Sequence, residues 1–324
     1  MRLKQYDLLK GIGILLVLIG HTHCSMPVFT GLYFFHMPLF FLVSGAFFKI
    51  KEGVSFAQYT RNRAKRLLRP YLVFLAVSLV FHLLSAVLWP EGGSVGASLK
   101  SKAILFGIGL VGNQESLAFR TLWFVICLFE VSVLCRAMAG IRNEWYRTGL
   151  SLLLFAAGYL LQVHKIDIPF FLDSALTLQF YFHLGHLFAH SGWSQFRFSP
   201  WVSLVCIVLI MAVFLQRPLF TDYRTNRFAL VSIPLALLMV WNLYNLCCAL
   251  AEGPLGDTRI VSLLNLMGLE SLLVYGLHRN VYLVLDGLLT PLHLPSYWLG
   301  AINVITALAL ILMLREPLKR WLKL

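Results

Sequence analysis

Lys10 and His21 bracket an apolar stretch, LLKGIGILLVLIGH, at residues 8–21. On a helix, eleven residues amount to three turns plus roughly 20°, so both side chains point the same way, about 16 Å apart along the axis. Ionisable residues in such a segment face a bundle interior or a lined pathway rather than lipid. A neutral imidazole can take a proton from a hydroxyl at physiological pH. His36, in the adjoining apolar hairpin, adds a second imidazole. The plainer alternative is that Lys10 snorkels into the headgroups and His21 only hydrogen-bonds a neighbouring helix, for about 1 kcal/mol.

The densest charge cluster is Arg61, Arg63, Lys65, Arg66 and Arg69, within RNRAKRLLRPY. It reads either as a topology anchor attracted to anionic headgroups or as a phosphate clamp, with Arg63, Arg66 and Arg69 recurring at helical spacing. His183, His186 and His190 are spaced by three and four, as metal ligands on a helix often are. No cysteine or carboxylate completes a ligand set nearby, so packing or pore lining is the expectation and no metal is expected. Glu130, Asp173 and Glu270 are acids inside apolar segments, where such residues face the interior. Any of them could orient a histidine. Glu270 and His278 are eight residues apart, about 80° around a helix, which argues against direct contact.

These residues need elements to hold them. The chain has 324 residues, 59% hydrophobic and only 13% charged, about half the charged fraction of a soluble domain. The apolar residues are gathered in blocks long enough to span a bilayer. They predict an all-α, polytopic helical membrane bundle of about ten spans, at 8–25, 28–48, 70–89, 119–139, 148–163, 169–190, 200–216, 228–250, 260–284 and 298–314. Residues 1–324 form one membrane-embedded domain. The basic run lies in a loop at 49–69, and Pro70 falls in the first turn of the third span, where it is tolerated. With both termini cytoplasmic, roughly 19 of the 27 Lys and Arg fall inside, as the positive-inside rule requires. The net charge of +13 is thereby explained without a nucleic-acid partner. The N-terminus resembles a signal peptide, but Lys10 and Gly11 interrupt its apolar run and HTHCS is a poor cleavage site, so it reads as a retained first span. The six cysteines lie in or beside apolar segments and read as packing residues.

YDLLKGIGILLVLIGH, FFHMPLFFLVSGAFF, RNRAKRLLRPY, LWF at 122–124 and GLESLLVYGLH occur in this order along nearly the whole chain. Together they resemble the acyltransferase-three family, polytopic bacterial membrane O-acyltransferases that modify surface polysaccharides, and most of all its fucose 4-O-acetylase-like group. The resemblance implies that Lys10 and the catalytic His21 form the family's basic-to-histidine hallmark, with lysine where many members carry arginine. It places His36 and Ser44 in the second motif and His278 at a recurrent histidine position. Arg63 and Arg66, with Arg69 beside them, would engage the phosphates of acyl-CoA, taken to be acetyl-CoA.

The implied reaction moves an acyl group from cytoplasmic acyl-CoA to a hydroxyl of a cell-surface glycan or lipid-linked sugar, in the bacterial cytoplasmic (inner) membrane. His21 would deprotonate that hydroxyl, with His36 and Lys10 in the same catalytic set and Glu130 or His278 assisting. The rival is a transporter or flippase using buried His, Lys and Glu as a proton relay. No internal repeat and no paired Gly/Pro-broken helices in the sequence favour it.

Overall fold

The computed structural model describes residues 3–22, 24–49, 53–90, 94–110, 120–216 and 229–322. Arg2, Lys51, Arg217, Arg224, Arg227 and Lys323 of the charge count lie outside them. The described residues form helices and no strand: α1 (Lys4–Gly20), α2 (Met26–Tyr33), α3 (His36–Ala46), α4 (Phe56–Leu88), α5 (Val95–Leu110), α6 (Trp123–Met138) and α7 (Glu144–Val163). Then follow α8 (Leu172–His190), α9 (Pro200–Gln216), α10 (Ala229–Glu252), α11 (Arg259–Leu269), α12 (Ser271–Leu289), α13 (Ser296–Met313) and α14 (Arg315–Leu322).

Among the described residues, length and composition suit four segments to crossing a bilayer, Met26–Ala46, Phe56–Leu88, Val231–Glu252 and Ser296–Met313, and a fifth if α11 and α12 count as one bent span. Exposed aromatics sit at the second position of three helices, Trp145 of α7, Trp201 of α9 and Tyr297 of α13, where a headgroup belt places them. The chain is a helical membrane protein.

α1 runs through the middle of the bundle. Its residues Ile14, Val17 and Leu18 enter one apolar core with α4, α6, α8 and α12, while Tyr6, Leu8 and Leu9 enter a second with α3 and α10. A helix apolar on all sides belongs in such a place. Two backbone-to-backbone crossings fix it and its neighbour α3. A Cβ on Gly268 of α11 would lie 1.7 Å from the carbonyl oxygen of Asp7, and one on Gly11 would lie 1.9 Å from that of Leu264. Gly45 of α3 and Gly185 of α8 meet the Phe182 and Leu42 carbonyls in the same manner, at 1.8 and 2.0 Å. Lipid gives helices no hydrophobic reason to associate, so small residues that let backbones touch supply the contact. Gly268→Val is therefore expected to lower the thermal midpoint of detergent-solubilised protein by several degrees or more, whereas Gly149→Ala on α7, which meets nothing within 4 Å, leaves it unchanged. Equal melting of the two variants would remove the crossing from the forces that set α1.

Two expected elements differ, and a third carries an interruption. The basic run is not a loop: α4 starts at Phe56, with the Ser55 hydroxyl accepting the Gln58 N–H at 3.2 Å, and continues without interruption to Leu88. Arg, Lys, Ala and Leu are strong helix formers, and Pro70 inside the helix costs one hydrogen bond to the Arg66 carbonyl, a loss tolerated in membrane helices. The expected second span, 28–48, stands as one apolar segment, Met26–Ala46, with a short interruption at Phe34–Phe35 between α2 and α3 that makes His36 the first residue of α3. The expected span 260–284 is two helices, α11 and α12, meeting at Glu270 with a bend of 87°. That is a broken helix of the kind the sequence did not reveal. Glu270 pairs there with Lys319 of α14, so it orients no histidine.

Candidate active site

The bundle carries two groups of polar side chains joined by a cavity. The first group gathers where α1, α2, α3 and α12 meet. His21, the residue that ends α1, stacks on His278 of α12 with ring centroids 5.2 Å apart and planes inclined by 18°. The Tyr33 hydroxyl lies 3.3 Å from His21 Nδ1 and donates to the Gly20 carbonyl at 3.4 Å. The Tyr33 ring also packs edge-on against His36, centroids 4.6 Å apart.

Hydrogen bonds decide which ring nitrogens hold protons. His36 Nδ1 lies 2.7 Å from the Leu32 carbonyl, and His278 Nδ1 lies 2.9 and 3.1 Å from the Tyr275 and Val274 carbonyls. A carbonyl only accepts, so both Nδ1 atoms carry hydrogen and each neutral ring keeps its lone pair on Nε2. His278 is fully buried and its Nε2 has no hydrogen-bond partner. No carboxylate orients these rings among the described hydrogen bonds: backbone carbonyls of the preceding turn and a tyrosine do so. Sequence reasoning did not find Tyr33, Arg279 or Tyr282. Arg279 donates to the His21 carbonyl at 3.2 Å and Tyr282 to the Leu18 carbonyl at 3.1 Å. They satisfy carbonyls that a helix end leaves open and fix the end of α1 beside His278. Their i+1 and i+4 spacing from His278 was visible, but their target lies about 260 residues away in the chain.

The second group lies at the other end of α1. Lys10 is ion-paired with Asp7, Nζ to Oδ1 2.6 Å, a partner three residues back that its spacing offered. It faces a cavity of about 600 Å³ whose polar end also has Lys49, Arg63 and Arg66 in its wall. Arg63 Nε is buried there without a hydrogen-bond partner. Ser44, from the second motif, and Ser271, the first residue of α12, line the same space. Ile14, Met37, Phe40, Phe124 and Tyr275 form an apolar part of the same wall. Each of these except Phe124 lies near one of the histidines along the chain: Ile14 two turns before His21, Met37 and Phe40 within about one turn after His36, Tyr275 one turn before His278.

The structure thus brings His21, His36 and His278 together, and groups Lys10 with Arg63 and Arg66. Two expected site residues stand apart. Arg69 is exposed and off the cavity wall, because six residues turn it about 120° away from Arg63. Glu130 of α6 lies away from the histidines; its Oε2 is buried without a hydrogen-bond partner, and the charge it feels is that of Asp173. His183 bonds Thr148 at 2.9 Å, and no cluster of metal-ligating side chains occurs among the described residues. Cys127, Cys135, Cys247 and Cys248 are buried as free thiols.

A cation-lined cavity that leads toward several basic imidazoles suits transfer from an anionic carrier to a hydroxyl, and the comparisons agree with that chemistry. The profile of the acyltransferase-three family, described as an acyltransferase domain, matches residues 3–314. Nodulation protein NolL of Mesorhizobium japonicum is 28% identical over 228 residues, covering 65% of this chain and 54% of its own length. The chain therefore spans about half the length of the curated relative it matches. No solved structure matches it. With the family's profile running along nearly all of its length, the chain belongs to the acyltransferase-three family of membrane acyltransferases.

Proposed function

We propose that this acyltransferase takes an acyl group, in the simplest case acetyl, from acyl-CoA entering at the cytoplasmic face of the bacterial inner membrane. It passes the group to a hydroxyl of a cell-surface glycan or its lipid-linked precursor. The observation that carries the reading is the cavity: its wall holds Lys10, Lys49, Arg63 and Arg66 together with Ile14, Met37, Phe40 and Tyr275, which lie within two turns of the three histidines along the chain. Four cations and the positive end of α12 suit the phosphates of CoA. The apolar section suits the pantetheine arm, and the roughly 16 Å rise from Lys10 to His21 suits its extended length.

In this reading His21 is the general base. A Tyr33 proton committed to the Gly20 carbonyl leaves the tyrosine oxygen to accept Nδ1–H of His21, which keeps the reactive lone pair on Nε2. His21 Nε2 removes the acceptor's hydroxyl proton as the oxygen attacks the thioester carbon. Collapse breaks the C–S bond, and the proton passes from His21 to the departing CoA thiolate. His36 and His278 hold neutral rings around that centre. Lys10 acts at the donor's phosphates rather than at the reacting atoms. The 87° bend at Glu270 has no counterpart as sharp among the described residues and gives the transporter reading no further support.

The test uses protein reconstituted in liposomes. Labelled acetyl-CoA is consumed in the presence of host glycan or lipid-linked sugar and not in its absence, and a transporter would leave the thioester intact. Cys24, three residues beyond His21, reports the side. In cells whose other cysteines are replaced, a membrane-impermeant thiol reagent is expected to label it from outside, more slowly when acceptor analogue is present. Labelling only in inverted vesicles would reverse the orientation.

A further inference from the structure

The cavity does not contain the histidines. Among the aromatic residues of its wall is Phe124, the last residue of the LWF motif, to which the reaction as written gives no task. The Phe124 ring lies against Phe41 at 5.2 Å, Tyr275 at 5.4 Å and Phe40 at 5.7 Å between centroids. These are contact distances for aromatic rings. Tyr275 in turn lies 6.3 Å from His278, and Phe40 is one turn from His36 on α3. α6 supplies Phe124, and Trp123 beside it is buried against Phe171 at 6.1 Å, so the start of α6 is anchored. Phe124 itself is 8% exposed and lines the cavity.

We infer that Phe124 is the specificity-determining residue for the acyl group: its ring separates the donor cavity from the histidine cluster and limits the size of acyl chain that fits beside His21. The inference rests on the proposed use of acyl-CoA. A thioester carbonyl has to reach His21 Nε2, so the sulfur end of the donor passes the ring layer formed by Phe124, Phe40 and Tyr275. The space beyond is filled by His21, His278, Tyr33 and His36. A two-carbon acyl group asks little of that space, whereas each further methylene must displace side chains or find room that the phenyl ring now occupies. One methylene in an apolar pocket discriminates by about 10- to 200-fold, so a removed phenyl ring alters chain-length preference more than any other single change at this wall. The same ring keeps water in the cation-lined section away from the thioester. Opening the wall therefore allows hydrolysis, in which water's oxygen bonds to the acyl carbon, the C–S bond breaks, and CoA leaves as its thiol with a proton from that water.

The experiment compares wild type, Phe124→Ala, Phe124→Leu and Phe124→Trp in native membranes, which carry the acceptor. Acetyl-, butyryl- and octanoyl-CoA are supplied, and acyl incorporation and free CoA are read by chromatography. Phe124→Ala is expected to raise the octanoyl-to-acetyl ratio of kcat/KM by at least tenfold, with Phe124→Leu between it and wild type. CoA release without acyl incorporation should rise in the same order. Phe124→Trp, which keeps the wall closed, is expected to sharpen the preference for acetyl, and Phe124→Leu decides the matter if the alanine variant fails to fold. Unchanged ratios across all three variants overturn the inference. A wild-type protein that uses no acyl-CoA overturns the proposed reaction instead, and the two failures are told apart by which protein shows them.

Discussion

His21→Ala abolishes acyl transfer while the protein remains folded and membrane-inserted. Loss of a positioned general base lowers turnover by about 10²- to 10⁴-fold, and the effect should fall on kcat, because the proposed reaction holds the donor's phosphates about 16 Å away at the other end of α1. The variant is unusually safe structurally. The bonds that fix the end of α1 run from Arg279 and Tyr282 to the carbonyls of residues 21 and 18, and a substitution of the side chain leaves both carbonyls in place. His21 is also only partly buried, so truncation opens less of a cavity than at His278, which is fully buried. The companion variant His278→Ala is expected to lose activity and stability together. Near-wild-type turnover in His21→Ala would remove it as the base and shift attention to His36 and His278, whose Nε2 atoms are equally committed as acceptors.

The sequence carried the pairings of Lys10 with His21 and of Arg63 with Arg66 because each depends on the register within a single helix. The placement of Lys10 and His21 on one face follows from a separation of eleven residues, and that of Arg63 and Arg66 on adjacent turns from a separation of three. Asp7 was equally within reach, three residues before Lys10, yet an acid in the first turn of an apolar helix also reads as an ordinary favourable helix-end charge. Two features were not within reach. The breaks at Phe34–Phe35 and Glu270 contain no proline or glycine at the break itself, so apolar pattern alone ran straight through both. Conversely Pro70 looked like a helix start and is an interior residue, because the capping Ser55 and a run of strong helix formers outweigh one lost hydrogen bond. The contact between His21 and His278 is tertiary. It depends on α1 lying against α11 through Gly11 and Gly268 and on the 87° bend that swings α12 back along α1, and no local spacing encodes either.

The double variant Arg63→Ala/Arg66→Ala is expected to raise KM for acyl-CoA by about 100-fold with kcat at saturation nearly unchanged. Hydrogen bonds to charged groups contribute about 1.5–3 kcal/mol each, so losing two gives a penalty of that order or more, provided both guanidinium groups meet phosphate. The geometry suits this: α4 is continuous through both residues, both line the polar end of the cavity, and Arg63 Nε is buried there unbonded. The competing account, that the basic run only anchors topology, makes a different forecast. It values charge near the headgroups without regard to which way a side chain points. Arg61→Ala/Arg69→Ala removes the same two charges from the same helix at positions that are exposed and off the cavity wall. An anchor predicts equal harm to insertion from either double variant and normal affinity in whatever inserts correctly. A phosphate site predicts that only the first pair weakens donor binding. Isothermal titration of acetyl-CoA into folded protein at low and high ionic strength separates the two. The gap between wild type and Arg63→Ala/Arg66→Ala should be widest at low salt and narrow as screening weakens the wild-type contacts, while the Arg61/Arg69 pair follows wild type throughout. Matching affinities for both double variants would leave the cavity's cations without a phosphate to bind.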